Sequence, residues 1–352
     1  MSFTALVFLA HCLLLLHRCM GSEAGGVFDH GRHGVSLARV DEARAPSRCG
    51  GGTTTSPTGG GGSTPPPKPL LITAPRDAGE YPVLVFLHGY LVVNSFYSQL
   101  FQHVASHGYI VVAPQLYTIS GADTTDEINA AAAIVGWLAG GGLSSVLPPG
   151  VRADVTQVSI SGHSRGGKVA FALALGHAKL AVPVAALVAV DPVDGMGVGQ
   201  QTPPAILTGR AHSLRVSAPA MVIGTGLGEL PRGPLLPPCA PRGVSHAAFY
   251  GELDVGAAGA ACHLVAGEYG HTDMMDDETP GARGMLTRMI CRSGGARAPM
   301  RRFVGGATVA FLNKWVGGDG AAMDGIRARP EEAPVALSVV EFLDDKAIAQ
   351  TE

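Results

Sequence analysis

The chain is poor in charge and in aromatic rings. Only 15% of its 352 residues are charged and only 6% are Phe, Trp or Tyr. Twenty-five Lys and Arg against 28 Asp and Glu give a formal charge of -3, and no basic stripe or long charge run appears. No nucleic acid is therefore expected among the partners. Cysteine is sparse: Cys12, Cys19, Cys49, Cys239, Cys262 and Cys291, with no CxxC pair. That scatter argues against a zinc site, and neither a metal nor a cofactor is expected. One or two disulfides stay open, beside the reading of these cysteines as small buried hydrophobes. The acidic run Asp273, Asp276, Asp277 and Glu278 lacks the alternating oxygens and glycine of a calcium loop, and reads as a solvated loop or helix cap.

Apolar side chains are abundant at 46%, and there are 49 glycines. One large α/β domain with tails fits that material. Phe3 to Leu16 is strongly apolar but short for a bilayer span. Residues 1–20 therefore read as a removable targeting segment or short anchor, with a helix of the mature protein as the plain alternative. Small residues at Gly21–Ala24 would suit cleavage, although no basic region precedes the apolar run. Residues 21–67 read as a flexible linker, because the tract 49–67 is almost entirely Gly, Thr, Ser and Pro. The catalytic domain is expected over 68–320, with a C-terminal extension at 321–352.

Short Val/Ile-rich runs then alternate with segments of helical period. Strands are predicted at Val83–Leu87, Tyr109–Ala113, Val155–Ile160, Ala185–Val190, Ala220–Gly224 and Cys262–Ala266, and helices near 95–107, 124–139, 165–178 and 300–315. Apolar strands separated by helices signal a mostly parallel sheet covered on both faces, whose ligand site forms at the carboxyl ends of the strands.

The residues just past those carboxyl ends carry the chemistry. In chain order they are His88-Gly89-Tyr90, then Gly162-His163-Ser164-Arg165-Gly166, then Asp191-Pro192-Val193-Asp194, and finally Gly270-His271. Ser, acid and His in that chain order point to the α/β-hydrolase fold. A serine hydroxyl attacks only when a base takes its proton, and G-x-S-x-G sets Ser164 on a tight strand-to-helix turn. Gly162 and Gly166 are expected because side chains there would crowd the neighbouring strand and helix. The backbone N–H groups of Tyr90 and Arg165 are the expected oxyanion donors. Asp191 is the preferred acid, being directly at its strand end. Asp194 remains the alternative, and Glu229 a weaker rival. His271 is the preferred base over His246, over His263 inside a strand, and over His163, which is better placed to support the turn. Leu91, Val92, Val93 and Phe96 read equally as groove lining or as helix packing. Gly226–Cys239 reads as a lid or rim, or as a rigid surface loop.

With these residues assembled, the chain resembles the plant chlorophyllases. The likeness rests on GHSRGGKVAFALALG (162–176), DPV (191–193), GTGLG (224–228), PPCAP (237–241), HAAFY (246–250), YGHTDMMDD (269–277) and FVGG (303–306), and covers about residues 68–316. It implies hydrolysis of the phytyl ester of chlorophyll to chlorophyllide and phytol, without a metal, with Ser164, His271 and Asp191 as nucleophile, base and acid. Asp194 stands where a small residue is common in that family's motif. The resemblance implies the chloroplast, whereas the apolar N-terminus offers the secretory pathway (endoplasmic reticulum or vacuole) and membrane association. Two other functions are weighed: a lipase or carboxylesterase for other apolar esters, and a hydrolase-fold protein that binds without turnover. An intact set of three reacting residues disfavours the last.

Overall fold

The computed structural model describes residues 26–42, 64–256 and 259–344. Residues 1–20, Cys12, Cys19, Cys49 and the tract up to Ser63 lie outside the described residues. Nine strands form one sheet: β1 (Val35–Val40), β2 (Leu70–Pro75), β3 (Gly79–Leu87), β4 (Ile110–Pro114), β5 (Val151–His163), β6 (Val184–Val190), β7 (Ala220–Thr225), β8 (Ala260–Ala266) and β9 (Leu337–Asp344). Their spatial order is β1-β2-β4-β3-β5-β6-β7-β8-β9. The six strands β4, β3, β5, β6, β7 and β8 are mutually parallel, while β2 and β9 run against their neighbours. This is the α/β-hydrolase arrangement, with a mostly parallel central sheet and helices on both faces.

Side-chain alternation along the strands divides the interior in two. Val83, Val85 and Leu87 of β3 join one core with helices α2 (Thr125–Ala139), α3 (Arg165–Ala174) and α4 (His246–Glu252). Leu84 and Phe86 join the other, with α1 (Ser98–Ser106), α6 (Arg297–Trp315) and α7 (Ala321–Ala328). A further helix, α5 (Gly281–Ile290), keeps Met285 and Met289 about 60% exposed. All six strands expected from the sequence are present, and so are the four helices.

Three strands of this sheet were not expected. β1 lies inside the stretch read as linker, yet VSLARV alternates in burial and pairs antiparallel with β2. β2 itself is buried throughout, but its short run comes after a proline-rich tract that hides it. β9 pairs antiparallel with β8, so through residue 344 the expected C-terminal extension supplies a helix and the sheet's far edge.

Candidate active site

Ser164 stands between β5 and α3 with φ 56° and ψ -123°, a conformation L-residues rarely adopt. Three hydrogen bonds hold it: its N–H donates to Val190 O at 3.0 Å, and its C=O accepts from Lys168 N and Val193 N. The flanking glycines are there for space. A Cβ on Gly162 would lie 2.2 Å from Gly166 O, and one on Gly166 would lie 2.1 Å from Leu87 O. Both expected crowding positions are therefore real steric ones.

His271, in the loop after β8, brings Nε2 to 2.8 Å from Ser164 Oγ. Its Nδ1 lies 2.7 Å from Asp191 Oδ2. A carboxylate only accepts, so Nδ1 carries the proton and Nε2 is free to accept from the serine. Asp191, fully buried at the end of β6, also receives the Thr225 hydroxyl at 2.6 Å. Burial pushes its carboxyl upward, but the bond to His271, the nearby His246 and Thr225 together outweigh that and hold it below the usual range.

The rival residues go elsewhere. Asp194 Oδ2 accepts the backbone N–H groups of Ile206 and Leu207, both at 2.8 Å. Its Oδ1 lies 2.9 Å from Lys168 Nζ, with both side chains buried. Asp194 thus braces the loop after β6. Glu229 holds Arg242 and Ser245. His246 and His263 bond each other at 2.9 Å. His163 bridges the Tyr97 hydroxyl and the His271 carbonyl, at 2.7 Å each. In the acidic run, Asp273 receives the N–H groups of Gly270 and Gly294. Asp276 receives those of Ser98 and Gln99 at the start of α1, and Asp277 pairs with Arg301.

Beside Ser164 lies the turn after β3. Among the described residues, no intramolecular acceptor takes up the backbone N–H of Tyr90 or of Arg165. The Arg165 side chain turns away to a buried pair with Glu127 at 2.7 Å, and its guanidinium sits over the Tyr90 and Tyr117 rings at 5.5 and 5.7 Å. Val92 and Phe96 are buried in the core, so the packing reading holds for them, while Leu91 and Val93 are half-buried.

Tyr90, Ile119, Met196, Val198 and Leu235, in the segments that follow parallel strands, and Met289 of α5 are apolar and well exposed. Leu235 belongs to the 226–239 segment, whose Cys239 is bonded to Cys291 at the end of α5. Cys262 is buried in β8. No group of three or more His, Cys, Asp or Glu among the described residues is arranged to hold a metal ion.

Thr225, Tyr97, Tyr117 and Gln115 were not singled out from the sequence. Thr225 carried a usable signal, since it too sits directly past a predicted strand.

A family model described as Chlorophyllase matches residues 23–344. Chlorophyllase-2 of Arabidopsis thaliana is 45% identical over 327 residues, covering 92% of this chain and 99% of its own. Chlorophyllase-1 of the same plant is 43% identical, covering 79% and 85%. Chlorophyllase-1, chloroplastic, of Citrus unshiu is 40% identical, covering 81% and 83%.

Proposed function

Because the chain belongs to the chlorophyllase family, we propose that it cleaves the phytyl ester of chlorophyll to chlorophyllide and phytol, with Ser164 as nucleophile. One observation carries this reading: the unbroken hydrogen-bond chain from Ser164 through His271 to Asp191 at the carboxyl ends of parallel strands. His271 takes the hydroxyl proton as Ser164 Oγ attacks the ester carbonyl, while Asp191 stabilises the imidazolium. The backbone N–H groups of Tyr90 and Arg165 receive the oxyanion, each worth ~3 kcal/mol in the transition state. His271 then hands its proton to the departing phytol oxygen. Water, deprotonated by the same imidazole, cleaves the acyl-enzyme and frees chlorophyllide. Asp194 is the brace of the neighbouring loop.

Exposed apolar side chains in the segments after the parallel strands favour a long apolar substrate. Ile119, Met196, Val198 and Leu235 offer a surface on which a phytyl chain stays out of water, and on which the mouth rests against lipid. The apolar residues belong to loops, and no described helix is long and apolar enough to cross a membrane. The chloroplast is the compartment we assign, in line with the name of the Citrus relative.

The test is hydrolysis of purified chlorophyll by the full chain, with Ser164→Ala beside it. Chlorophyllide from the parent and none from the variant is the expected result. Turnover retained by Ser164→Ala would overturn the mechanism. Cleavage of a short aryl ester without any of chlorophyll would overturn the substrate and move the reading to a general carboxylesterase.

A further inference from the structure

Gly89 is held at both of its backbone polar groups, the N–H of the peptide from His88 and the C=O of the peptide to Tyr90. A carbonyl only accepts, so His163 Nε2, 2.7 Å from His271 O, must carry the ring's proton. Its Nδ1 is then a bare lone pair, and the Tyr97 hydroxyl 2.7 Å away must donate to it. That leaves the Tyr97 oxygen to accept the Gly89 N–H at 3.3 Å.

Donors and acceptors are fixed in the same way on the other side. Gly89 O lies 2.9 Å from His88 Nδ1, so Nδ1 is the protonated nitrogen of that ring. His88 Nε2 accepts in turn from Leu116 N at 3.0 Å and from the Gln115 amide at 3.1 Å. A second donor, the Tyr117 hydroxyl, reaches Gly89 O at 3.0 Å. Burial pulls the His88 pKa down to about 4 and that of His163 to about 3, so both rings keep these neutral tautomers around pH 7.

In a planar trans peptide the N–H points opposite to the C=O. Two donors converging on Gly89 O therefore send the Tyr90 N–H the other way. The Gly89 Cα faces the nucleophile, since a Cβ there would lie 3.2 Å from Ser164 Cβ. Leu91, the next residue but one, holds φ 59°, which shows that the turn keeps a backbone shape it would not choose alone. A flipped peptide would aim the Gly89 oxygen, a negative dipole end, at the place where the oxyanion forms.

We propose that His88 and Tyr117, holding the Gly89 carbonyl, together with Tyr97 and His163, which fix the preceding peptide through the Gly89 N–H, are positioning residues that preset the Tyr90 N–H as an oxyanion donor. This deepens the ester-hydrolase reading above and rests on it.

Tyr117→Phe removes one hydroxyl from a half-buried ring and is the variant to make. Chlorophyll hydrolysis should lose about ten-fold or more in kcat, part of the 10²–10³ attached to a whole donor, with KM within about two-fold. Phenylboronic acid supplies a readout that mere loosening would not move. Its boron takes the Ser164 oxygen, the serine proton passes to His271, and a boronate oxygen occupies the oxyanion position. Its affinity should fall by about the same factor as kcat. Tyr97→Phe should show the same pairing and repeats the test from the amide side. Boronate affinity equal to the parent's in both variants overturns the proposal, whatever happens to kcat. Turnover by Ser164→Ala has a separate signature, because it removes the underlying hydrolase reading instead.

Discussion

Four described non-glycine residues adopt positive φ: Leu91, Ser164, Asp191 and His212. Each costs of order 1–2 kcal/mol against ordinary backbone, and two of them, Ser164 and Asp191, are hydrogen-bonded to His271. Asp191 and Asp194 show how three positions along one loop separate two kinds of work. Asp191→Asn keeps the shape but loses the charge facing His271, so kcat should drop by about 10³–10⁴ with little change in unfolding temperature. Asp194→Asn leaves Lys168 without its buried partner and should lower stability by ~3–5 kcal/mol. Steady-state kinetics and thermal unfolding of both variants check this, and equal rate losses would mean that the acid is shared. Ser164, His271 and Asp191 were legible because each sits directly past a recognisable strand or a glycine turn. Tyr97 and Tyr117 were not. Their significance comes from Gly89 and His163, partners that only the folded sheet brings near.

The parallel strands announce themselves in sequence; the antiparallel ones do not. All six expected strands are the mutually parallel inner ones, where near-continuous Val, Leu and Ala runs are demanded by two cores. Of the antiparallel strands, β1 and β9 fall in stretches that read as linker and tail because their residues are half polar, and β2 is masked by the prolines before it. The segment after β7 reads equally as lid or fixed loop from its Gly, Pro and Leu content. Its disulfide spans 52 residues and ties this segment to the end of α5. Cys239→Ser should lower unfolding free energy by about 2–4 kcal/mol, the usual worth of a native bridge. If the rim seats the phytyl chain, the same variant should lose more activity on chlorophyll than on a short aryl ester. Equal losses on both substrates would remove the rim from substrate binding.

At the scale of the molecule, the packing that builds both cores also buries histidines in neutral form. Burial draws His88 and His103 down to about 4, and His163 and His263 to about 3. In the unfolded chain they would titrate near 6.5. Between those values the unfolded state binds more protons, so stability is full above about pH 6.5 and falls as pH drops toward 4 and 3. Each such histidine contributes up to ~1.4 kcal/mol per pH unit in that window. Denaturant unfolding at pH 7 and pH 4.5 should show a clear loss at the lower value, and identical midpoints would refute it.

The pairing of β1 with β2 makes Val35–Val40 part of the folded sheet. The described residues on either side of 43–63 are held on that body, at β1 on one side and at Thr64 on the other, where the Trp137 indole N–H donates to Thr64 O. Closure entropy between two fixed ends grows only as the logarithm of the number of residues joining them, so doubling that number costs about 0.6 kcal/mol. Insertions between Glu42 and Thr64 should therefore leave the unfolding temperature almost unchanged. Trimming the chain back to residue 67 is another matter, since that cut removes an edge strand of the sheet.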